Sequence, residues 1–215
     1  MESKHIARFV SIDYVHEYVL VDRPTFCLNS TAYYRDLANK KGCACMSDRA
    51  ENELDFGDTR YTTNEALISC WSLLKNRKPT SDDWNYWQQC KKCKRSVAVV
   101  STISQIRRLL QKEPTLDELR KGRASEFKDQ KVLYDSAPDP LEIYFYKRKK
   151  FERQREYRFA FRLSGNMRTG PKVFPVRLDY IHFICPSSQL LEGGEREKMQ
   201  ELANRYEIKV QEVSF

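Results

Sequence analysis

Glu156 is the residue whose position most directly suggests chemistry. It opens the segment Glu156–Leu163, in which aromatic and basic residues alternate as they do in a β-strand. A carboxylate at the start of such a strand is costly to bury unless it is paired or used. Arg158 and Arg8 are its candidate ion-pair partners. The sequence leaves open whether Glu156 forms an ion pair or acts as a functional carboxylate.

The run from residue 144 to residue 158 combines basic and aromatic side chains. Basic side chains contact phosphates, and aromatic rings stack on unpaired nucleobases. The run therefore predicts an alternative function as a nucleic-acid-binding module without catalysis. Six bases would supply the phosphate contacts: Lys147, Arg148, Lys149, Lys150, Arg153 and Arg155. The net charge of +8 also favours an anionic partner, although a solvated charged surface explains the same pattern.

Four cysteines could in principle supply thiolates to zinc. They are Cys43, Cys45, Cys90 and Cys93. The Cys-x-Cys spacing of the first pair is wrong for a zinc knuckle. We therefore assign no metal ligands from the sequence and leave the zinc hypothesis open.

The elements that must position these side chains follow a mixed order. Strands are predicted at 6–12, 25–29, 65–73, 97–100, 132–134, 156–163, 172–178, 180–185 and 207–213, and helices at 14–20, 80–91, 101–113, 139–150 and 195–206. Residues 30–63 lack a regular pattern and are predicted to form a long irregular excursion. The order predicts one α+β domain over residues 1–215, with a mixed, twisted sheet and about five helices.

The composition is that of an ordinary globular chain of 215 residues, with 40% hydrophobic residues. No apolar run approaches the roughly 20 residues of a membrane span, so we expect no membrane contact. The N-terminus has no apolar signal segment, and seven cysteines fit reduced thiols, so a cytoplasmic location is expected. No phosphate-binding loop, dinucleotide fingerprint or hydrolase elbow supports those enzyme classes.

Several distant segments together resemble a widespread, poorly characterised family of prokaryotic proteins. They are Arg8 in the first strand, Ser69-Cys-Trp-Ser72, a helix start at Trp84, Val132-x-Tyr134, and a closing Glu156-Tyr-Arg158 after Lys150-Phe151. In the family the closing element reads Lys-x-x-x-aromatic-x-x-Glu-x-Glu-Tyr-Arg. The resemblance is distributed over residues 6–163.

The sequence departs from this family at two places. After the second strand, Asn29-Ser-Thr-Ala-Tyr-Tyr replaces a Phe-Asn-Asp-Pro turn. Gln154 stands where the family has the first Glu of its Glu-x-Glu pair. The first change affects the ligand that this turn would bind, and the second affects any mechanism that needs two glutamates.

The family's arginine, serine and glutamate resemble the arrangement found in ADP-ribosyltransferases. The resemblance implies that Arg8 neutralises the phosphates of NAD and that Ser69 or Ser72 orients ribose and nicotinamide. It implies that Glu156 holds a ribose hydroxyl or positions the acceptor. Trp71, Trp84 or Tyr134 would stack on a ring, and Arg158 would be a second anionic contact. The implied function is an enzyme or effector acting on a nicotinamide nucleotide, in bacterial conflict or phage defence.

An acceptor made of nucleic acid would use both the Glu156 site and the basic run. The substitution Glu156→Gln is expected to abolish activity and to leave the melting temperature within a few degrees.

Overall fold

The computed structural model describes fourteen stretches of the chain: residues 4–15, 25–31, 33, 53–56, 59–62, 66–89, 95–112, 124–136, 139, 142–163, 172–175, 178–181, 183–186 and 191–213. The chain divides into two compact units. The first consists of Met1–Phe26, Ser72–Gln111 and Val173–Phe215, and the second of Cys27–Trp71 and Lys112–Lys172. The extent of a single domain over residues 1–215 stays a prediction.

Most of the described strands belong to one open sheet. Its strands are β1 (His5–Val10), β2 (Thr25–Ser30), β5 (Ala66–Leu73), β6 (Val97–Thr102), β7 (Ala124–Lys131), β10 (Glu156–Leu163), β11 (Lys172–Pro175) and β12 (Phe183–Pro186). The strand order is β11–β2–β5–β1–β6–β12, and β10 pairs with both β5 and β7. The pairs β1–β5, β1–β6, β2–β5, β6–β12 and β7–β10 are antiparallel.

Four short strands form two further pairs. They are β3 (Glu53–Phe56), β4 (Thr59–Thr62), β8 (Leu133–Tyr134) and β9 (Tyr146–Lys147). β3 and β4 form an antiparallel hairpin, whereas β8 and β9 run parallel. The hairpin lies within the segment 30–63, where the sequence predicts no strand, and most of that segment lies outside the described residues.

The described α-helices follow β1, β5, β6 and β12 along the chain. They are α1 (Ile12–Tyr14), α2 (Ser81–Gln88), α3 (Ile103–Lys112) and α4 (Glu195–Tyr206), with 3-10 helices at Ile143–Phe145, Lys149–Gln154 and Leu178–Tyr180. The α+β class predicted from the sequence is confirmed. Among the described residues, no helix is long and apolar enough to span a bilayer.

Helix α2 shows how the sequence sets a helix start in this chain. The Thr80 side chain accepts a hydrogen bond from the Asp83 amide, and the Asp83 carboxylate accepts one from the Thr80 amide, which completes a capping box. The helix buries Trp84 and Trp87 against Phe9, at ring-centroid distances of 5.0 and 5.4 Å. These aromatic contacts anchor α2 on β1.

Three local predictions are wrong within the described residues. The predicted helix from residue 139 is two short 3-10 helices separated by β9, because Ile143, Tyr144 and Phe145 are consecutive buried residues that one helix face cannot cover. In place of a closing strand, residues 207–213 form isolated bridges at Val210 and Val213. Helix α1 begins at Ile12 and not at residue 14, because the Ser11 side chain caps it by accepting a hydrogen bond from the Tyr14 amide.

Strand β7 has no counterpart among the strands that the sequence predicts. Its sequence, Ala-Ser-Glu-Phe-Lys-Asp-Gln-Lys, is mostly polar, so its apolar pattern gives no strand signal. It is a strand because it pairs with β10 along seven register positions. This pairing makes β10 an interior strand of the sheet, between β5 and β7.

Candidate functional site

Glu156 opens β10 directly after the 3-10 helix Lys149–Gln154. Arg155 ends that helix in the left-handed conformation, with φ 45° and ψ 47°, and so turns the chain into the strand. The Glu156 amide donates to the Tyr134 hydroxyl at 3.1 Å. The Val132 amide donates to the Glu156 carbonyl at 2.9 Å. The backbone of Glu156 is therefore held by residues 132 and 134.

The two oxygens of the Glu156 carboxylate have different environments. Oε2 accepts hydrogen bonds from Lys147 Nζ at 3.1 Å and from Arg158 Nε and Nη2 at 3.2 and 3.0 Å. The described residues give Oε1 no hydrogen-bond donor. Glu156 is only 6% exposed, so these charged partners lie in the interior with it. One oxygen is saturated, and the other remains able to accept a bond.

The carboxylate of Glu156 is held in its ionised form. Burial acts to raise its pKa, but the neighbouring charges of Arg158 and Lys147 and their hydrogen bonds outweigh burial, so the pKa lies below its ordinary 4.5. At neutral pH the side chain is therefore a hydrogen-bond acceptor and not a donor.

Lys147 joins Glu156 to Gln154. Its ammonium donates to Gln154 Oε1 at 2.9 Å as well as to Glu156, and it lies 5.0 Å from the Phe151 ring centroid. Lys147 and Gln154 are both buried. Together with Arg158 these residues form the Glu156 cluster: Lys147, Gln154, Glu156 and Arg158.

The sequence contains a signal for this cluster in the spacing of its closing element. The closing element of the resembled family, Lys-x-x-x-aromatic-x-x-Glu-x-Glu, matches this chain in spacing at Lys147, Phe151, Gln154 and Glu156. The structure brings these four side chains into contact. The assignment of Lys147 to a nucleic-acid surface is therefore wrong, and Gln154 is a member of the cluster as well as a departure from the family.

Arg158 is the most deeply buried member of the cluster. It is 0% exposed, and its guanidinium donates through Nε and Nη2 to Glu156 and through Nη1 to the carbonyl of Tyr144. Tyr144 belongs to a buried apolar group with Ala66, Ile68, Phe145 and Ala160. These contacts connect the Glu156 carboxylate to the core of the second unit.

Three more predicted site residues belong to this second unit. Tyr134 is half-buried and contacts Glu156 through its hydroxyl. Ser69 and Trp71 are buried on β5, where the Ser69 hydroxyl accepts a bond from Trp71 Nε1 at 2.9 Å. The structure thus joins Tyr134 to Glu156 and Ser69 to Trp71.

The other predicted site residues belong to the first unit. On the paired strands β1 and β5, Ser72 lies opposite Ala7, the neighbour of Arg8. The Arg8 guanidinium lies 5.5 Å from the ring centroid of Tyr14. Trp84 is fully buried and meets Phe9 edge-on. Their roles toward a ligand stay predictions.

The basic run divides into interior and surface residues. Lys147 lies in the Glu156 cluster, whereas Lys149, Lys150 and Arg153 are exposed and Arg148 and Arg155 are half-buried. We call the last five the basic surface. The rings of Tyr144, Phe145 and Phe151 are at most 2% exposed, so they pack in the interior and present no face to a nucleobase.

The four cysteines of the zinc hypothesis, Cys43, Cys45, Cys90 and Cys93, lie outside the described residues. Within the stretches that the structure describes, no group of three or more His, Cys, Asp or Glu side chains could hold a metal ion.

Comparison with protein-family models, with curated proteins and with solved structures gives no match to this chain.

Proposed function

We propose that this chain is an ADP-ribosyltransferase-like enzyme or effector that acts on a nicotinamide nucleotide such as NAD. The observation that carries the proposal is the asymmetric Glu156 carboxylate. Its Oε2 is fixed by two cations, and its Oε1 has no donor among the described residues. An ionised oxygen held in place in this way can accept a hydrogen bond from a ribose hydroxyl.

The geometry favours orientation of the ribose over charge stabilisation as the role of Glu156. An oxocarbenium-like ribose would be attracted by the carboxylate, but Lys147 and Arg158 lie within 3.2 Å of Oε2 and offset its charge. A hydrogen bond to Oε1 depends less on net charge and more on direction. We therefore assign to Glu156 the alignment of the ribose with its leaving nicotinamide.

Among the other residues, Tyr134 keeps its part, because it is half-buried beside Glu156 and would contact a ring. The parts of the remaining residues rest on the resemblance alone: phosphate neutralisation by Arg8, ribose orientation by Ser69 or Ser72, and ring stacking by Trp71 or Trp84. Ser69 and Trp84 are fully buried, and Arg8, Ser72 and Trp84 belong to the first unit. Arg158 changes from a ligand contact to a residue that acts through Glu156, because it is fully buried and bonded to that carboxylate. Association with bacterial conflict or phage defence rests on the family resemblance alone.

The test is release of nicotinamide from oxidised NAD. The protein is incubated with NAD alone and with total cellular RNA, DNA or protein, and nicotinamide is followed by chromatography. We expect release by the wild type and by Glu152→Gln, but a loss of at least about 100-fold in Glu156→Gln. Glu152 is the matched control, because it is an exposed glutamate on the neighbouring 3-10 helix.

Two results of this assay would reject the proposal. One is equal release by the wild type and Glu156→Gln. The other is no release by folded wild type with any cellular fraction. Each variant is assayed below its melting temperature, with circular dichroism recorded on the same sample, so that unfolding is not mistaken for loss of chemistry.

A second candidate function is phosphate-dependent binding of nucleic acid by the basic surface. Its favouring observation is the exposure of Lys149, Lys150 and Arg153 on one 3-10 helix, next to half-buried Arg148 and Arg155. Because the rings of Tyr144, Phe145 and Phe151 are buried, such binding would depend mainly on charge. It would therefore be weak in sequence preference and strongly dependent on salt.

Binding to a labelled single-stranded RNA at increasing salt tests this second function. Replacing Lys149, Lys150 and Arg153 with Gln should reduce the slope of log K against log salt by about 2, since each lost contact contributes roughly 0.7. The matched control replaces Lys75, Arg77 and Lys78, three exposed bases between β5 and α2, and removes the same charge. Equal slopes in both variants would reject a specific role for the basic surface.

A further inference from the structure

We propose that Lys147 is a positioning residue that fixes the Glu156 carboxylate so that Oε1 faces the ribose hydroxyl of the substrate. This inference rests on the proposed function. It assigns a role in the reaction to a lysine that the sequence pattern places on a nucleic-acid surface, and it gives Gln154 a part in holding that lysine.

Lys147 is itself fixed from several directions. Its ammonium donates to Gln154 Oε1 at 2.9 Å and to Glu156 Oε2 at 3.1 Å, and it lies near the face of Phe151. Its backbone carbonyl accepts a bond from the Asp135 amide, and β9 pairs with β8. A long, flexible side chain is thereby reduced to one orientation before any substrate arrives.

Lys147 adds a constraint that Arg158 alone does not supply. Arg158 lies on the same strand as Glu156, two residues further on, whereas Lys147 approaches from β9. Both cations bind the same oxygen, Oε2. Two donors from different elements restrict the position of Oε2 more narrowly than one, and neither of them bonds to Oε1.

Stability alone does not account for a buried lysine at this position. Buried ion pairs are often replaceable by apolar side chains at no cost in stability, because desolvation offsets their attraction. Lys147 is 4% exposed and is therefore largely desolvated. A role in orienting a functional carboxylate explains why a cation and not an apolar residue occupies the place.

The test compares Lys147→Met, Lys147→Arg and Lys150→Met. The ammonium of Lys150 lies 5.0 Å from the Phe151 ring centroid, the same distance as that of Lys147, but no described hydrogen bond joins Lys150 to Glu156. The first readout is the pH titration of the Glu156 carboxyl carbon by ¹³C NMR. The second is the rate of nicotinamide release, separated into kcat and KM.

Loss of one hydrogen-bonded cation should raise the pKa of Glu156 by about 1–3 units in Lys147→Met. The charged groups that contact the Glu156 carboxylate are Lys147 and Arg158. The Tyr134 hydroxyl accepts a hydrogen bond from the backbone amide of Glu156. In Lys147→Arg the pKa of Glu156 should lie close to its wild-type value, because the cation is kept. In Lys150→Met the pKa of Glu156 should equal its wild-type value. The value of kcat should fall at least about tenfold in Lys147→Met, with KM within about twofold.

The two readouts separate the failure of this inference from the failure of the proposed function. An unshifted titration in Lys147→Met, or a shifted titration with unchanged kcat, overturns the positioning role. No release by the wild type overturns the proposed function, and with it the reaction for which Lys147 would position Glu156. A shifted titration with a lower kcat and rescue by Lys147→Arg supports both.

Discussion

Glu156→Gln lowers the free energy of unfolding by about 3–5 kcal/mol, because it leaves two buried cations without the carboxylate that they share. Lys147 and Arg158 are at most 4% exposed, and both bond to Glu156 Oε2. A neutral amide cannot offset either charge. Denaturation by urea at neutral pH measures the loss. This expected loss replaces the prediction from the sequence that the melting temperature of Glu156→Gln would stay within a few degrees of the wild type.

Two variants control this prediction. Glu152→Gln removes an exposed glutamate that pairs with Lys149 at the surface, and it should cost at most about 1 kcal/mol. Combining Glu156→Gln with Lys147→Met removes one of the stranded cations and should recover part of the loss. If Glu156→Gln lowers the free energy of unfolding by no more than Glu152→Gln does, the Glu156 cluster does not stabilise the fold.

The stability difference between the wild type and Glu156→Gln also has a defined dependence on pH. The pKa of Glu156 is lower in the folded protein than its ordinary 4.5. Its stabilising contribution is therefore fully present above pH 4.5 and is lost as the pH falls through the folded-state pKa. The difference in unfolding free energy should be constant from about pH 6 to 8 and should shrink in acid.

The elements that the sequence predicts well are those with strong local signals. Strand β10 has alternating aromatic residues, and helix α2 begins with a Thr and an Asp at the spacing of a capping box. Each signal lies within the element that it specifies or directly beside it. Predicting either element requires no knowledge of its partners in the fold.

The Glu156 cluster depends on partners that local pattern does not reveal. The alternation in β10 assigns Arg158 to a polar face, but β10 lies between β5 and β7, and Arg158 is fully buried. The basic composition of the run from 144 to 158 predicts a surface position for Lys147, because its periodicity does not indicate that β9 pairs with β8. Only the spacing of the closing element sets Lys147 apart from the other basic residues of the run. Contacts of this kind follow from strand pairing, which sequence periodicity does not report.

The candidate function can be predicted only in part from the sequence, because it too depends on contacts that follow from strand pairing. Glu156 stands out because a carboxylate in an apolar strand needs a partner or a use, and the structure supplies two cationic partners. What the sequence cannot supply is the difference between Oε1 and Oε2, which arises from donors on two separate strands. That asymmetry carries the proposal.

Arg158→Met should be the second most damaging substitution in the cluster. It removes the bonds to Glu156 and leaves the Tyr144 carbonyl, in a buried apolar group, without the guanidinium that donates to it. Lys147 still pairs with Glu156, so we expect a loss of about 3–4 kcal/mol, at the lower end of the range for a broken buried pair.

Arg162→Met is the matched control for Arg158→Met. Arg162 lies four residues further along β10, on the same face of the strand, and it is half-buried, whereas Arg158 is fully buried. The same substitution there should cost about 1 kcal/mol or less in urea denaturation. Equal losses at the two positions would mean that the damage comes from placing Met in β10. A large loss at Arg158 alone assigns the damage to the ion pairs and the Tyr144 carbonyl, which join the Glu156 cluster to the core.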